Sequence, residues 1–226
     1  MFEFSKDSTS KDKITKIVQW GNVFNKSIWN GVDFLNCTNL RGKIPSPSKN
    51  SFAKITYNWQ GIFNGCKNIE GPIPSDFFAN CTPDTVNSAF FGCENLTGSI
   101  PENLFANCPE VTQFAYVYMD GIFARCSGLT GSIPENLFKY NTKVKTFCGA
   151  FFGCENLTGN IPENLFVNNT DATDFSHTFR DCSNLTGTPP PLWERQNITN
   201  SGYCFIGCNL LNLNEVPKSW GGNKKD

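Results

Sequence analysis

The sequence predicts an α/β solenoid of about seven coils, each a short helix followed by a short parallel strand. Three observations predict it: a recurring phrase, the period of that phrase, and the spacing of apolar residues inside it. The phrase is Phe, two residues, Cys, an apolar residue and, in most copies, Gly-x-Ile-Pro. It occurs at Phe34/Cys37, Phe63/Cys66, Phe90/Cys93, Phe123/Cys126, Phe151/Cys154, Phe179/Cys182 and Phe205/Cys208. Successive cysteines are 29, 27, 33, 28, 28 and 26 residues apart. A period in this range marks a repeat architecture, in which each unit is buried only against its neighbours.

The helix is read from the cleanest unit, VKTFCGAFFGCENLTGNIPENLF at 144–166. Val144, Phe147, Phe151, Cys154 and Leu157 follow the i, i+3, i+7, i+10, i+13 stripe of an amphipathic helix. Ala172, Phe175, Phe179, Cys182 and Leu185 repeat it in the next unit. The strand is read from Leu-Thr-Gly-x-Ile-Pro. Gly159 permits a tight change of direction, and Pro162 cannot donate to a ladder and so ends the extended segment. Pro-Glu-Asn-Leu-Phe at 162–166 then suits one helical turn, with Pro at its first position and Glu near the positive end of the dipole. Phe166 anchors that turn, as do Phe78, Phe105, Phe138, Trp193 and Trp220 in other units. Helix, short strand and turn together make the pattern of a leucine-rich-repeat solenoid, with a narrow parallel sheet roughly 35 Å long over seven coils.

The ends deviate, as terminal repeats do. Residues 1–33, with Ile17, Trp20 and Trp29, read as an N-terminal cap and leading segment. Residues 34–220 are the repeats, closed by the atypical unit CNLLNLNEVPKSW, and 221–226 read as a flexible tail.

Composition narrows the function. The net charge is −1 and no basic stripe compensates phosphate, so nucleic acid is not an expected partner. No run of about 18 apolar residues occurs, so no membrane insertion is expected. The N-terminal segment has no apolar h-region and no signal peptide is visible. The chain is therefore either not exported by a cleaved signal or an excerpt of a longer one. Seven of the eleven cysteines are locked to the repeat phase, which favours a reduced, packed ladder over a disulfide framework. Cys81 and Cys108 share a second phase, fifteen residues after their repeat cysteines, open to a short ladder or one bridge. With a single His and no close pair of cysteines, no metal and no cofactor are expected.

Three sets of residues are candidates for binding. Between Val111 and Phe123 one copy carries five extra residues, and this insertion at 115–121 contains Tyr116, Tyr118, Met119 and Asp120. Insertions in repeat proteins map to loops on one face, often the binding face, and Tyr is enriched at interfaces. The competing reading is that they extend an element and pack inward. The strand positions on either side of the glycine form the second set: Thr97, Ser99, Thr130, Ser132, Thr158 and Asn160. If Leu and Ile point inward, alternation sends these side chains outward. The third set is the acidic ladder Glu102, Glu135 and Glu163. Its Ca²⁺-binding reading competes with simple helix-dipole placement. The irregular segment 41–58 reads as a solvated loop. No phosphate loop, HExxH or nucleophile elbow occurs, and one His leaves little general-base chemistry, so no enzyme is expected.

The phrases FFGCENLTGSIPENLF (90–105) and FFGCENLTGNIPENLF (151–166) resemble the BspA-like leucine-rich repeats of bacterial surface proteins. The resemblance covers roughly 17–220 and rests on the F-x-x-C-x-x-L phase. It implies non-catalytic recognition of a protein or glycan ligand on another cell or host surface, by an extracellular or cell-surface protein. Similar phage-encoded repeats imply an alternative, a structural or receptor-binding component of a virion, and a cytoplasmic location also stays open.

Overall fold

The computed structural model describes residues 13–18, 34–47, 59–115 and 119–224. It overturns the helix-plus-strand solenoid. No helix of seven or more residues forms among the described residues; the only helical segments there are the three-residue 3-10 turns Leu192–Glu194 and Lys218–Trp220. Strand structure is equally sparse. β1 (Gly42–Lys43) pairs in parallel with β2 (Ile69–Glu70), and β3 (Gly159–Asn160) with β4 (Leu185–Thr186). Elsewhere the copies are linked by isolated parallel bridges such as Gly131 to Leu157 and Thr146 to Asp174.

The reason lies in where the backbone N–H groups go. In a helix every N–H turns inward to the carbonyl four residues back. From 147 to 154 only every second one turns inward, and only three residues back: Ala150 to Phe147, Phe152 to Gly149, Cys154 to Phe151. The alternate donors leave for the next copy: Phe147 to Asp174, Gly149 to Ser176, Phe151 to Thr178, Gly153 to Arg180. The next unit repeats this, with Phe175, His177, Phe179 and Asp181 donating to Asn200, Gly202, Cys204 and Ile206. Such alternation needs left-handed residues four apart. Gly149 (φ 61°) and Gly153 (φ 69°) supply them where other residues are strained. Successive four-residue turns place Phe147 and Phe151 on one side, as a helix would, which is why the apolar stripe imitates helical spacing.

The Pro-Glu-Asn-Leu-Phe segment behaves the same way. Leu165, Val167 and Asn169 donate to Pro162, Asn164 and Phe166, a run of four-residue turns and not an α-helical turn.

Burial joins the copies. The phenylalanines of the recurring phrase stack from Phe34 to Phe205 with centroids 5.5–5.9 Å apart. A second row runs Phe78, Phe105, Phe138, Phe166 at 5.8–6.0 Å. Between them, Phe114, Phe147 and Phe175 form a third. Each ring contact adds about 0.5–1.5 kcal/mol beyond area burial. Trp220 closes the stack against Phe175 and Phe205. Behind it Asn223 and Lys224, which the sequence places in a flexible tail, donate their backbone N–H groups to Leu213 and Val216. At the other end Ile14 and Ile17 pack against the core; Trp20 and Trp29 lie outside the described residues.

Two columns of side-chain donors complete the interior. Each repeat thiol donates to the phenylalanine carbonyl of the preceding copy, Cys66 to Phe34, Cys93 to Phe63, Cys126 to Phe90, Cys154 to Phe123, Cys182 to Phe151 and Cys208 to Phe179, at 2.9–3.1 Å. The second column continues the phase of Cys81 and Cys108. Asn141 Nδ2 donates to Phe105 and Cys108 carbonyls (3.1 and 2.8 Å), and Asn169 Nδ2 to Phe138 and Asn141 (3.2 and 2.8 Å). Arg195 ends it by donating to the Asn169 and Phe166 carbonyls while its guanidinium lies 5.4 Å from the Phe175 ring centroid.

Candidate functional site

The polar strand positions gather into one row. Backbone donation from Thr97 to Gly71, Thr130 to Gly98 and Thr158 to Gly131 holds successive copies in register at 2.9 Å. Gly131 faces the Cβ of Ser99, and Gly159 that of Ser132. Leu96, Leu129, Leu157, Ile100, Ile133 and Ile161 are buried, whereas Thr97, Ser99, Thr130, Ser132, Thr158 and Asn160 are exposed. The alternation expected from the sequence therefore holds although regular strand is nearly absent, because the Thr97, Thr130 and Thr158 N–H groups bond a glycine carbonyl of the preceding copy and hold each stretch in register. The row ends with Thr186 Oγ1 3.4 Å from Asn160 Oδ1 and Asn212 Nδ2 3.4 Å from Thr188 Oγ1. Its chemistry is that of a neutral surface of short hydroxyl and amide groups.

The insertion occupies a different phase of the coil. Tyr116 and Tyr118 lie outside the described residues. Met119 and Asp120 are half-buried, and Met119 takes a left-handed backbone (φ 67°) against Gly149. Beside them Ser176 Oγ bridges Cys148 Sγ (3.2 Å) and Asp174 Oδ1 (2.7 Å). Burial raises the Cys148 thiol pKa, with the Ser176 hydrogen bond opposing it. This thiol is neither free nor activated.

The acidic ladder is capped by amides from the following copy: Asn136 Nδ2 lies 2.7 Å from Glu102 Oε1, and Asn164 Nδ2 2.8 Å from Glu135 Oε1. Among the described residues no group of three or more His, Cys, Asp or Glu is placed to hold a metal. The cysteines are equally occupied. All eleven are buried and free of disulfides, and burial pushes Cys81, Cys154 and Cys208 up to about 12. Thiols held protonated in this way are poor nucleophiles. His177, expected at an exposed helix position, is buried in a left-handed turn (φ 54°) and stacked on Tyr203 at 5.1 Å. Desolvation first, then the Arg180 charge, lowers its pKa.

One arrangement escapes sequence reasoning. Arg125 lies between the rings of Phe91 and Phe152, 5.7 and 5.6 Å from their centroids. Arg180 lies between Phe152 and Tyr203, at 5.5 and 5.8 Å. Five residues from five successive copies thus alternate aromatic and cationic along the surface. Phe91, Phe152 and Arg180 stand two residues before their repeat cysteines, but Arg125 stands one before and Tyr203 five before. No single phase of the repeat reveals them.

Neither a protein-family model nor a curated protein matches the chain. No helix among the described residues is long and apolar enough to cross a membrane.

Proposed function

We propose that the protein is a non-catalytic recognition module that binds a protein or glycan on another cell or host surface, acting outside the cell or at its surface. The observation that carries this is the exposed row Thr97, Ser99, Thr130, Ser132, Thr158 and Asn160, presented at copy spacing by buried Leu and Ile. A neutral, regularly spaced hydroxyl and amide surface offers hydrogen bonds to sugar hydroxyls or to peptide groups without requiring charge. The groups that would support catalysis have structural duties: thiols on carbonyls, amides on carboxylates, the lone His under a tyrosine ring. This agrees with the adhesive role that the resemblance to BspA-like repeats implies, and nucleic acid is left out of the proposal on charge grounds.

The test is binding of the purified chain to immobilised matrix proteins and to arrayed neutral and acidic oligosaccharides. Thr130→Arg and Thr158→Arg are tested in parallel. Saturable binding lost in both variants, with thermal unfolding unchanged, supports the reading. Absence of saturable binding to any of these surfaces overturns it, as does binding indifferent to both substitutions.

A further inference from the structure

The alternating band Phe91, Arg125, Phe152, Arg180 and Tyr203 carries a second reading, independent of the polar row. Arg125 is its centre. The residue before the repeat cysteine is left-handed in all seven copies, and it is glycine at Gly65, Gly92, Gly153 and Gly207. Arg125 adopts the same conformation with φ 61°. A long side chain held where glycine would relieve strain marks a position where local conformation is subordinate to something else. Tyr203 of the band has φ 61°, and His177 and Asp181, which flank Arg180 in the chain, have φ of 54° and 60°. Two of the chain's described non-glycine left-handed residues, Arg125 and Tyr203, thus belong to the band itself.

The gain for Arg125 does not come from ion pairing. Its side chain is exposed, and among the described residues no carboxylate or carbonyl accepts its guanidinium N–H groups. What surrounds it is two ring faces. Two rings within cation–π distance restrict the guanidinium while leaving its N–H donors without a protein acceptor among the described residues. This is a preorganised fork for a planar, bidentate anion, with little ordering entropy left to lose on binding. Arg180 takes the corresponding place on the far side of Phe152, with its Nε buried and its terminal nitrogens left to meet a ligand. It also lies 3.4 Å from Asp181 Oδ2 through Nε and 3.4 Å from His177 Nδ1 through one terminal nitrogen, so it is the more constrained of the two.

The two forks are two copies apart, about 10 Å at the spacing of a parallel ladder. A ligand with acidic groups at intervals along an extended chain meets both. Exposed Tyr203 ends the band with an aromatic surface suited to the apolar face of a sugar. Carboxylates match the fork's planar geometry. The low charge density of alternating acidic sugars suits a surface with two cations better than a nucleic acid's closely spaced phosphates, which require many. We propose that Arg125 and Arg180 bind the carboxylates of an acidic polysaccharide, clamped for that purpose by Phe91, Phe152 and Tyr203.

The probe is an oligogalacturonate of defined length, with its carboxyl-reduced neutral counterpart as control, titrated by calorimetry at low and moderate salt. The expected result is salt-sensitive binding of the acidic oligomer and none of the neutral one. Arg125→Gly should weaken it at least tenfold without lowering the melting temperature, since glycine is native to that phase. Arg125→Lys, which keeps the charge and loses the fork, should fall in between. Equal binding of the neutral oligomer overturns the proposal, as does undiminished binding by Arg125→Gly. Tighter binding of a single-stranded oligonucleotide or an acidic peptide overturns the assigned ligand class. Thr130→Arg and Thr158→Arg should leave this binding intact, so the band and the polar row stand or fall separately.

Discussion

Two columns of donors link the copies, and they differ in how narrowly they restrict residue type. The column from Cys37 to Cys208 is cysteine in every copy. The column from Cys81 changes from Cys to Asn at 141 and 169, and Arg195 closes it. The first caps carbonyls of the preceding copy from Cys66 on; the second does so from Asn141 on, whereas Cys81 bonds the Phe78 carbonyl of its own copy. The first has one donor and one acceptor in a site enclosed by stacked rings, where only a small, weakly polar group fits. From Asn141 on, the second bridges two carbonyls at once, and any side chain with two suitably spaced N–H groups can do so. Invariance along the chain therefore reports confinement, and the exchange of Asn for Arg between two carbonyls reports a shared hydrogen-bonding task.

The largest test concerns what both columns lean on. Phe151→Ala removes a ring stacked between Phe123 and Phe179 and should destabilise by about 3–5 kcal/mol in urea unfolding. A loss under about 1 kcal/mol would mean that the columns, not the rings, hold the copies together. Next, Asn169→Ala deletes both amide bridges and should cost about 1–3 kcal/mol. Cys154→Ala should cost less, about 1 kcal/mol, because the Phe123 carbonyl keeps its bond from the Cys126 N–H. If the cysteine change proves the costlier, the distinction between one donor and two is wrong. In the native protein none of the eleven buried thiols should react with an aromatic disulfide reagent at mildly alkaline pH; all should react after unfolding.

The smallest effect is a pH slope from outside both columns. His177 faces Arg180, Asp174, Asp181 and Tyr203, and its pKa lies below the ordinary 6.5. The unfolded chain therefore takes up a proton first. Stability from this site is complete above pH 6.5 and declines as pH falls toward the folded-state value. The same titration on His177→Asn should remove that part of the slope. A slope that survives the substitution would assign it to the carboxylates.

Much of the architecture is legible in the sequence. The seven copies, the buried Phe and Cys, and the outward Thr, Ser and Asn row follow from residue type and period alone. The helix does not, because positions 144, 147, 151 and 154 satisfy a helical stripe and a series of four-residue turns equally well. The glycines at 65, 92, 153 and 207 argue for the turns, since glycine serves left-handed positions and is a poor helix former. The second column is half visible. Asn141 and Asn169 stand fifteen residues after their repeat cysteines, as Cys81 and Cys108 do, but the phase alone does not tell that the asparagines bridge two carbonyls of the preceding copy.

The recurring phrase on its own determined that this chain is built of copies that bury their Phe and Cys against one another, because apolar residues at a fixed period have no other cover. Whether each copy coils as a helix or as turns was decided only in three dimensions, where alternate N–H groups find carbonyls in the neighbouring copy and a helix would deny them that partner. The same holds for the cationic band: Phe91, Arg125, Phe152, Arg180 and Tyr203 are remote in sequence, and only the stacking of copies brings ring and guanidinium together.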